Sequence, residues 1–157
     1  LQAVLGSDSC QEIWDMPGAV HYTSALRYPV FAGGTNYPGT PKPLRTPLLR
    51  QFIETELAAE ARMLPNAVWL PLGGGATEAL LHLVKNGVLD RGRVFDGLPH
   101  PSGANAERVA YFMGRKQRQH LSPKTSPDKI DAERRTLEDR VAQLRLQEGR
   151  GGPLPAA

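Results

Sequence analysis

The feature that most constrains the fold is a short apolar run, Ala67–Leu72, followed directly by three glycines, Gly73 to Gly75. Such a run, bounded by turn residues, is typical of a strand buried on both faces of a parallel sheet. Apolar residues at helical spacing continue to Lys85, where Asn86-Gly87 supplies a left-handed stop. The pattern predicts a strand, a tight turn and a helix over Ala76–Lys85.

Similar elements flank this unit on both sides. β-branched and aromatic residues predict a strand near Val20–Leu26, and Thr46-Pro47 predicts the start of a helix that runs to about Met63. A further short strand is predicted over Arg93–Asp96. Strands that alternate with helices favour a parallel sheet with right-handed crossovers, so we predict an α/β fold.

Two stretches are predicted to be loops. The segment Phe31–Pro47 is rich in glycine, asparagine and proline, and loops of this length are often functional. The second loop begins at Gly97 and leads into a helix that ends at Gly114. Both loops follow predicted strands, which makes them candidates for a binding site.

The C-terminal part of the chain is predicted to be an extension. Lys129–Leu146 has the pattern of a charge-rich amphipathic helix with a weak apolar side, so it packs lightly on the domain or on a partner. We expect residues 149–157 to be disordered. The predicted division is a domain over residues 1–122 and a helical extension with a tail over residues 123–157.

Composition excludes several classes of protein. One cysteine, Cys10, in 157 residues rules out internal disulfides and four-cysteine metal or iron–sulfur sites. His21, His82 and His120 lack the spacing of a metal site, so we interpret them as structural. No apolar run reaches the roughly 18 to 20 residues of a membrane span, and Leu1–Cys10 lacks a signal-peptide pattern. We expect a cytoplasmic monomer that needs no membrane, metal or cofactor.

Charge is distributed unevenly along the chain. Residues 1–99 carry 8 basic and 9 acidic side chains, whereas residues 100–157 carry 11 basic and 7 acidic side chains. The asymmetry points to a polyanionic partner, and a solvated charged face is the alternative interpretation.

His100 is the strongest candidate for a catalytic residue. It lies between Pro99 and Pro101, which hold the backbone extended and present the ring with little entropy left to lose. A helix is predicted to begin within about five residues, and its positive pole favours nearby anions. The arrangement suits a neutral imidazole that donates to a developing oxyanion; the alternative is a histidine that only caps a turn.

The residues around His100 resemble the C-terminal half of the uracil-DNA glycosylase superfamily. His100-Pro101-Ser102 matches its second signature, a His-Pro-Ser loop between the last core strand and a helix. Val68–Gly73 with Ala76–Leu81 resembles the strand, Leu-Gly turn and helix of that superfamily. Tyr22–Tyr28 is similar to the strand that precedes its proline-rich loop. The resemblance covers roughly residues 20–118.

This resemblance implies a three-layer α/β/α fold with a short central parallel sheet, of which the chain is a C-terminal fragment. The implied activity is hydrolysis of the N-glycosidic bond of a flipped uracil in DNA, as in base excision repair. His100 would donate to uracil O2. The resemblance also implies substrate-binding roles for Ser24, Ser102, Gly103 and Asn105, and DNA-binding roles for Ser102, Ala104, Arg108, Arg115 and Lys116.

Three departures from the superfamily pattern are visible. Gly103-Ala104 replaces the Pro-Leu that wedges into the helix stack, which predicts a preference for single-stranded or weakened sites. Ser24 stands where an asparagine reads the uracil edge. The first signature, which positions water, has no counterpart, and the acidic residues of the N-terminal segment receive no role: Asp8, Glu12 and Asp15.

Two other functions remain open at this point. A DNA-binding module without catalysis would keep the basic C-terminal part. A small nucleotide-binding or protein-interaction domain would use the glycine turn, although Gly73–Gly75 lacks the Lys-Ser of a P-loop and fits close strand–helix packing. Among the aromatic residues, we expect Tyr22, Trp69 and Phe95 in the core, and Tyr28 and Tyr37 beside a ligand.

Overall fold

A computed structural model of the protein describes residues 20–148. The predicted disordered tail and the three N-terminal acidic residues lie outside this range. The chain forms two compact units, one made of Thr23–His100 and the other of the described parts of Leu1–Tyr22 and Pro101–Ala157. The units are thus divided between His100 and Pro101, whereas the sequence places a boundary after residue 122.

The unit Thr23–His100 is built on two helical segments. The first consists of α1 (Pro47–Phe52), a π-helical turn (Ile53–Leu57) and α2 (Ala58–Met63) in direct succession. The second is α3 (Gly74–Lys85). Both predicted helices are confirmed, including the proline in the first turn after Thr46. The π-helical turn in the first segment carries no signal in the sequence.

The core of this unit lies between the two helical segments. Trp69 and Val94 pack into it from the connecting segments, and Phe95 is also buried. The helices contribute Ile53, Leu57, Ala58, Ala61, Ala79, Leu80 and Leu83. The predicted core positions of Trp69 and Phe95 are confirmed. Tyr22 was predicted in the core as well, but its side chain is 63% exposed, so that prediction is wrong.

The strands form a hairpin within the predicted loop. β1 (Phe31–Ala32) pairs antiparallel with β2 (Thr35–Asn36). The intervening Gly33 and Gly34 have φ values of 58° and 79°, a conformation with two positive φ angles that two-residue hairpin turns favour. The Gly-Gly pair is the sequence signal for this hairpin, and the loop prediction missed it.

The predicted parallel sheet is reduced to isolated bridges in the described residues. Trp69 pairs with Val94 and Leu72 with Leu98, both in parallel. Pro71 has no N–H to donate to a ladder, and a 3₁₀ turn over Arg91–Arg93 occupies the residues before Val94. No strand forms near Val20–Leu26 either, where the chain bends. The fold therefore combines helices and strands, an α/β class only in this broad sense.

The second unit holds two helices in its described part. A 3₁₀ turn (Gly103–Asn105) leads into α4 (Ala106–Phe112), and α5 (Pro127–Glu148) packs against α4. The predicted apolar side of α5 is confirmed by the burial of Ile130, Leu137 and Val141. None of the helices in the described part of the chain has the length and apolar character needed to span a bilayer.

Candidate functional site

His100 lies directly against Gly73, the residue before α3. A Cβ atom built on Gly73 would be 2.8 Å from the Cβ of His100 and 3.2 Å from its Cδ2. Gly73 also has φ 89° and ψ 168°, a backbone conformation that is essentially restricted to glycine. Both the contact and the backbone therefore require glycine at this position.

The parallel bridges bring these two residues together. Leu72 pairs with Leu98, and the N–H of Gly73 donates to the carbonyl of Leu98 at 3.2 Å. Because the two segments run in the same direction, the residues that follow Leu72 and Leu98 lie at the same end of the paired segments. On the other side, the N–H and the hydroxyl of Thr77 both donate to the Gly73 carbonyl at 3.1 Å. Gly73 is thereby tied both to the His100 segment and to the first turn of α3.

The imidazole of His100 is exposed and makes no hydrogen bond with any residue in the range 20–148. The first N–H groups of a helix have no intrahelical acceptor and create a positive pole. The residue before α3, a helix of 12 residues, lies beside His100. Along the chain, a 3₁₀ turn begins at Gly103 and α4 at Ala106, so the predicted helix start about five residues after His100 is confirmed as well.

The other two glycines of the turn have a different role from the predicted one. A Cβ atom on Gly74 or Gly75 would meet no atom within 4 Å. Close strand–helix packing therefore does not explain them, and the prediction is wrong for these positions. Only Gly73 makes a close approach, and its neighbour is the side chain of His100.

Ser102 belongs to a short chain of hydrogen bonds. The Asn105 side-chain amide donates to its hydroxyl oxygen at 2.9 Å, and Arg108 donates to the Asn105 amide oxygen at 3.0 Å. The Ser102 hydroxyl keeps its own proton for another acceptor. Gly103 and Ala104 are the exposed residues of the 3₁₀ turn Gly103–Asn105 beside it. These two positions carry no side chain larger than a methyl group.

The predicted DNA-binding cations differ in their availability. The Lys116 ammonium lies 2.7 Å from a Glu107 carboxylate oxygen, so its charge is largely neutralised within the unit. Arg115 is exposed and makes no ion pair with a described residue. Arg108 is exposed as well, although its guanidinium already bonds Asn105 and, at 3.5 Å, the Lys124 carbonyl. Arg108 and Arg115 thus both keep their full charge for a partner, because the groups that Arg108 bonds are neutral, and Arg115 also keeps all of its donors free of described residues.

The Glu107 carboxylate is the acceptor of several hydrogen bonds that the sequence did not predict. Its carboxylate accepts hydrogen bonds from Lys116, from the N–H and hydroxyl of Ser122, and from the hydroxyl of Thr125. These bonds, the one from Lys116 first, hold the pKa of Glu107 far below its ordinary value. All donors lie 9 to 18 residues further along the chain, so no local pattern marks this carboxylate.

We expect the stability contributed by Glu107 to depend on pH. Its pKa is lowered on folding, so the contribution is complete above the ordinary value of 4.5 and is lost as the pH falls below it. The Glu107→Gln variant should have a lower urea midpoint than the parent at pH 7, and the difference should shrink between pH 4.5 and pH 3.

Asp139→Asn is the matched control for this prediction. Asp139 is an exposed residue of α5 that makes no ion pair with a described residue. The Asp139→Asn variant should have the same urea midpoint as the parent at every pH. If the urea midpoints of Glu107→Gln and the parent differ by the same amount at pH 7 and at pH 3, the stabilising role of the ionised Glu107 carboxylate is contradicted.

Among the other histidines, His82 links two helical segments. Its Nε2 lies 2.7 Å from a Glu54 carboxylate oxygen, which also accepts from Arg50 at 2.8 Å. The hydrogen bonds from Arg50 and then His82 lower the pKa of Glu54. This contact agrees with a structural His82. Within residues 20–148, no three His, Cys, Asp or Glu side chains gather as potential metal ligands.

Ser24 lies in an open pocket of about 380 Å³. The pocket is also lined by Arg27, Tyr28 and Tyr37, and His100 is not among its lining residues. The structure therefore does not bring the predicted base-reading serine and the predicted catalytic histidine into this pocket. Tyr28 and Tyr37, which were predicted beside a ligand, both line it.

Comparison with known proteins finds a relative without a described activity. The uncharacterized protein YoxB of Bacillus subtilis (strain 168) is 33% identical over 100 residues, a match that covers 62% of this chain. The match spans 39% of the length of YoxB. No protein-family model matches the chain, and no solved structure gives a significant match.

Proposed function

We propose that the protein is a uracil-DNA glycosylase-like hydrolase that removes uracil, or a related deaminated base, from DNA. The proposed architecture is the C-terminal portion of a three-layer α/β/α domain with a short central parallel sheet. The two parallel bridges, Trp69 to Val94 and Leu72 to Leu98, support this architecture because they join the segments that the resemblance assigns to neighbouring strands.

The observation that carries the proposal is the contact between His100 and Gly73. The resemblance assigns these residues to two separate motifs, a Leu-Gly turn and a His-Pro-Ser loop. In the structure the two motifs lie against each other, because a Cβ atom built on Gly73 would be 2.8 Å from the Cβ of His100, and the backbone conformation of Gly73 separately requires glycine. The imidazole remains exposed, so it is available to a ligand.

The proposed chemistry uses His100 as a hydrogen-bond donor. Water adds to C1′ of the deoxyribose as the bond between C1′ and N1 of uracil breaks, and the electron pair of that bond leaves with the base. The water loses one proton to solvent as it becomes the C1′ hydroxyl, and the uracil anion takes up a proton from solvent. His100 stabilises the negative charge that develops on uracil O2, and the positive pole of α3 acts in the same direction. The reaction needs a base outside the stack, because the reacting atoms are inaccessible in a duplex.

The proposed substrate is single-stranded DNA. Gly103 and Ala104 form the exposed turn where the resemblance expects a larger wedge, and a methyl group fills little of the space that a flipped base leaves. A single-stranded base is already unstacked, so extrusion costs little. The exposed Arg115 and the Ser102 hydroxyl are assigned to the DNA backbone.

The test is release of uracil from a single-stranded oligonucleotide by the full chain, under single-turnover conditions. Removal of one preorganised donor to a developing oxyanion typically slows a reaction by about 10² to 10³. We expect His100→Ala to slow uracil release by that factor. His120→Ala is the matched control, because His120 is also exposed and makes no side-chain hydrogen bond with a described residue.

The outcomes separate the proposed function from its rivals. Uracil release by the parent and by His120→Ala, with a large loss in His100→Ala, supports the hydrolase. Salt-sensitive DNA binding without uracil release contradicts it and favours the DNA-binding module. Absence of both release and DNA binding leaves the nucleotide-binding or protein-interaction domain.

A further inference from the structure

The pocket around Ser24 is formed by the bend before the hairpin and by the hairpin itself. Arg27 and Tyr28 come from the bend, and Asn36 and Tyr37 from β2 and the residue after it. The pocket volume of about 380 Å³ is within the range of small-ligand sites. All of these residues belong to the unit Thr23–His100.

The polar groups of this pocket are largely unengaged. The Ser24 hydroxyl, the Arg27 guanidinium and the Asn36 amide make no hydrogen bond or ion pair with any residue of the described chain. The Tyr28 hydroxyl likewise has no such partner. Tyr37 differs, because its hydroxyl donates to the carbonyl of Pro41. The pocket therefore combines an unpaired cation, an amide and a hydroxyl group.

Aromatic side chains supply an exposed stacking surface at the same place. Tyr28 is 51% exposed and is held by an edge contact with Phe52, at 5.8 Å between ring centroids. Phe31 is 65% exposed and is the cross-strand partner of Asn36, so both side chains lie on one face of the hairpin. Of the two, Tyr28 lines the pocket together with Arg27. An exposed aromatic ring beside an arginine that has no partner among the described residues is a combination that binds single-stranded nucleic acids.

We propose that this pocket binds one nucleotide of a single-stranded DNA segment, and that this nucleotide is not the one that reacts. The base stacks on Tyr28, the Asn36 amide bonds the base edge, and Arg27 pairs with the phosphate. Because His100 does not line the pocket, the nucleotide held here is not the reacting one. The inference rests on the proposed function only in taking DNA as the ligand.

A nucleotide fits this set of groups better than a neutral ligand does. A sugar would use the aromatic face and the amide but would leave the Arg27 charge unpaired. A phosphate alone would use Arg27 and leave the Tyr28 face empty. A nucleotide has both a planar base and a phosphate, so it engages the aromatic, amide and cationic groups together.

The test measures binding of two single-stranded probes to the full chain. One probe is an oligonucleotide of eight thymidines, and the other has the same phosphates but abasic sugars. We expect Tyr28→Ala to weaken binding of the thymidine probe about tenfold and to leave the abasic probe unaffected, because only the first probe can stack. Tyr28→Phe keeps the ring and should bind the thymidine probe like the parent.

The contribution of Arg27 is measured by the salt dependence of binding. Each phosphate contact in a single strand contributes about 0.7 to the slope of log affinity against log salt. We expect Arg27→Gln to reduce the slope by about 0.7 for both probes. Arg62→Gln removes an exposed arginine of α2 outside the pocket and should leave the slope close to that of the parent.

Each result decides the proposal. It is overturned if neither probe binds, if Arg27→Gln and Arg62→Gln have equal effects, or if Tyr28→Ala weakens both probes equally. If the protein releases uracil but the pocket variants bind DNA like the parent, the proposed nucleotide pocket is wrong and the proposed hydrolase activity still stands. Binding that responds to the pocket variants, without uracil release, supports the pocket and refutes the hydrolase. Circular dichroism establishes that each variant is folded.

Discussion

Gly73→Ala is expected to destabilise the protein by about 2–6 kcal/mol, the sum of two separate costs. A non-glycine residue in the backbone conformation of Gly73 costs about 1–3 kcal/mol. Its Cβ would also lie 2.8 Å from the Cβ of His100, and overpacking of that kind adds about 1–3 kcal/mol. The measurement is urea denaturation of the parent and the variant.

A neighbouring glycine provides the control for this prediction. Gly75 lies in the first turn of α3, and a Cβ there meets no atom within 4 Å. Gly75→Ala should therefore stabilise the protein by up to about 1 kcal/mol, because alanine is the better helix former. If both alanine variants shift stability in the same direction, the special role of Gly73 is wrong.

A double-variant cycle separates the two costs at Gly73. His100→Gly removes the Cβ that the new methyl group would contact, and leaves the backbone conformation of residue 73 unchanged. We expect a coupling energy of about 1–3 kcal/mol between the two substitutions, corresponding to the relieved clash. Strictly additive effects would show that the two residues do not touch.

Leu83→Ala is expected to destabilise the unit Thr23–His100 by about 2–5 kcal/mol. Leu83 is fully buried between the helical segments, in the same cluster as Trp69. Truncation of a buried leucine loses its transfer free energy and leaves a cavity that the surroundings fill only in part. The readout is Trp69 fluorescence during urea denaturation, in a Trp14→Phe background so that one tryptophan remains.

Leu48→Ala is the matched control, since it makes the same chemical change at a side chain that is 58% exposed. Substitutions at exposed sites usually change stability by less than about 0.5 kcal/mol. A similar loss in Leu48→Ala and Leu83→Ala would mean that the core is not where the structure places it.

Local sequence patterns predicted the helices of this protein well. Pro47 after Thr46 marks the start of the first helical segment, and Asn86-Gly87 marks the end of α3, where Gly87 has φ 69°. These signals operate within a few residues, because a helix is stabilised by bonds between residues four apart. The same holds for the turn at Gly114, which has φ 70° and follows α4 as predicted.

The strands were predicted less well, because pairing depends on distant partners. The segments around Trp69 and Val94 do pair in parallel, but as isolated bridges and not as the continuous strands that their composition favours. Near Val20–Leu26 the β-branched and aromatic residues form no strand in the described part of the chain. Strand propensity describes a surface that fits a sheet, and it does not supply the neighbouring strand.

The sequence by itself determined where the helices begin and end, and it predicts that Pro99 and Pro101 hold the backbone of His100 extended. Only the tertiary structure decided which groups meet. It placed His100 on Gly73 at the start of α3, paired Lys116 with Glu107, and gathered Arg27 and Tyr28 into a pocket with Asn36. The reason is physical: capping and turn preferences act along the chain, whereas a contact between distant residues depends on how the whole chain packs.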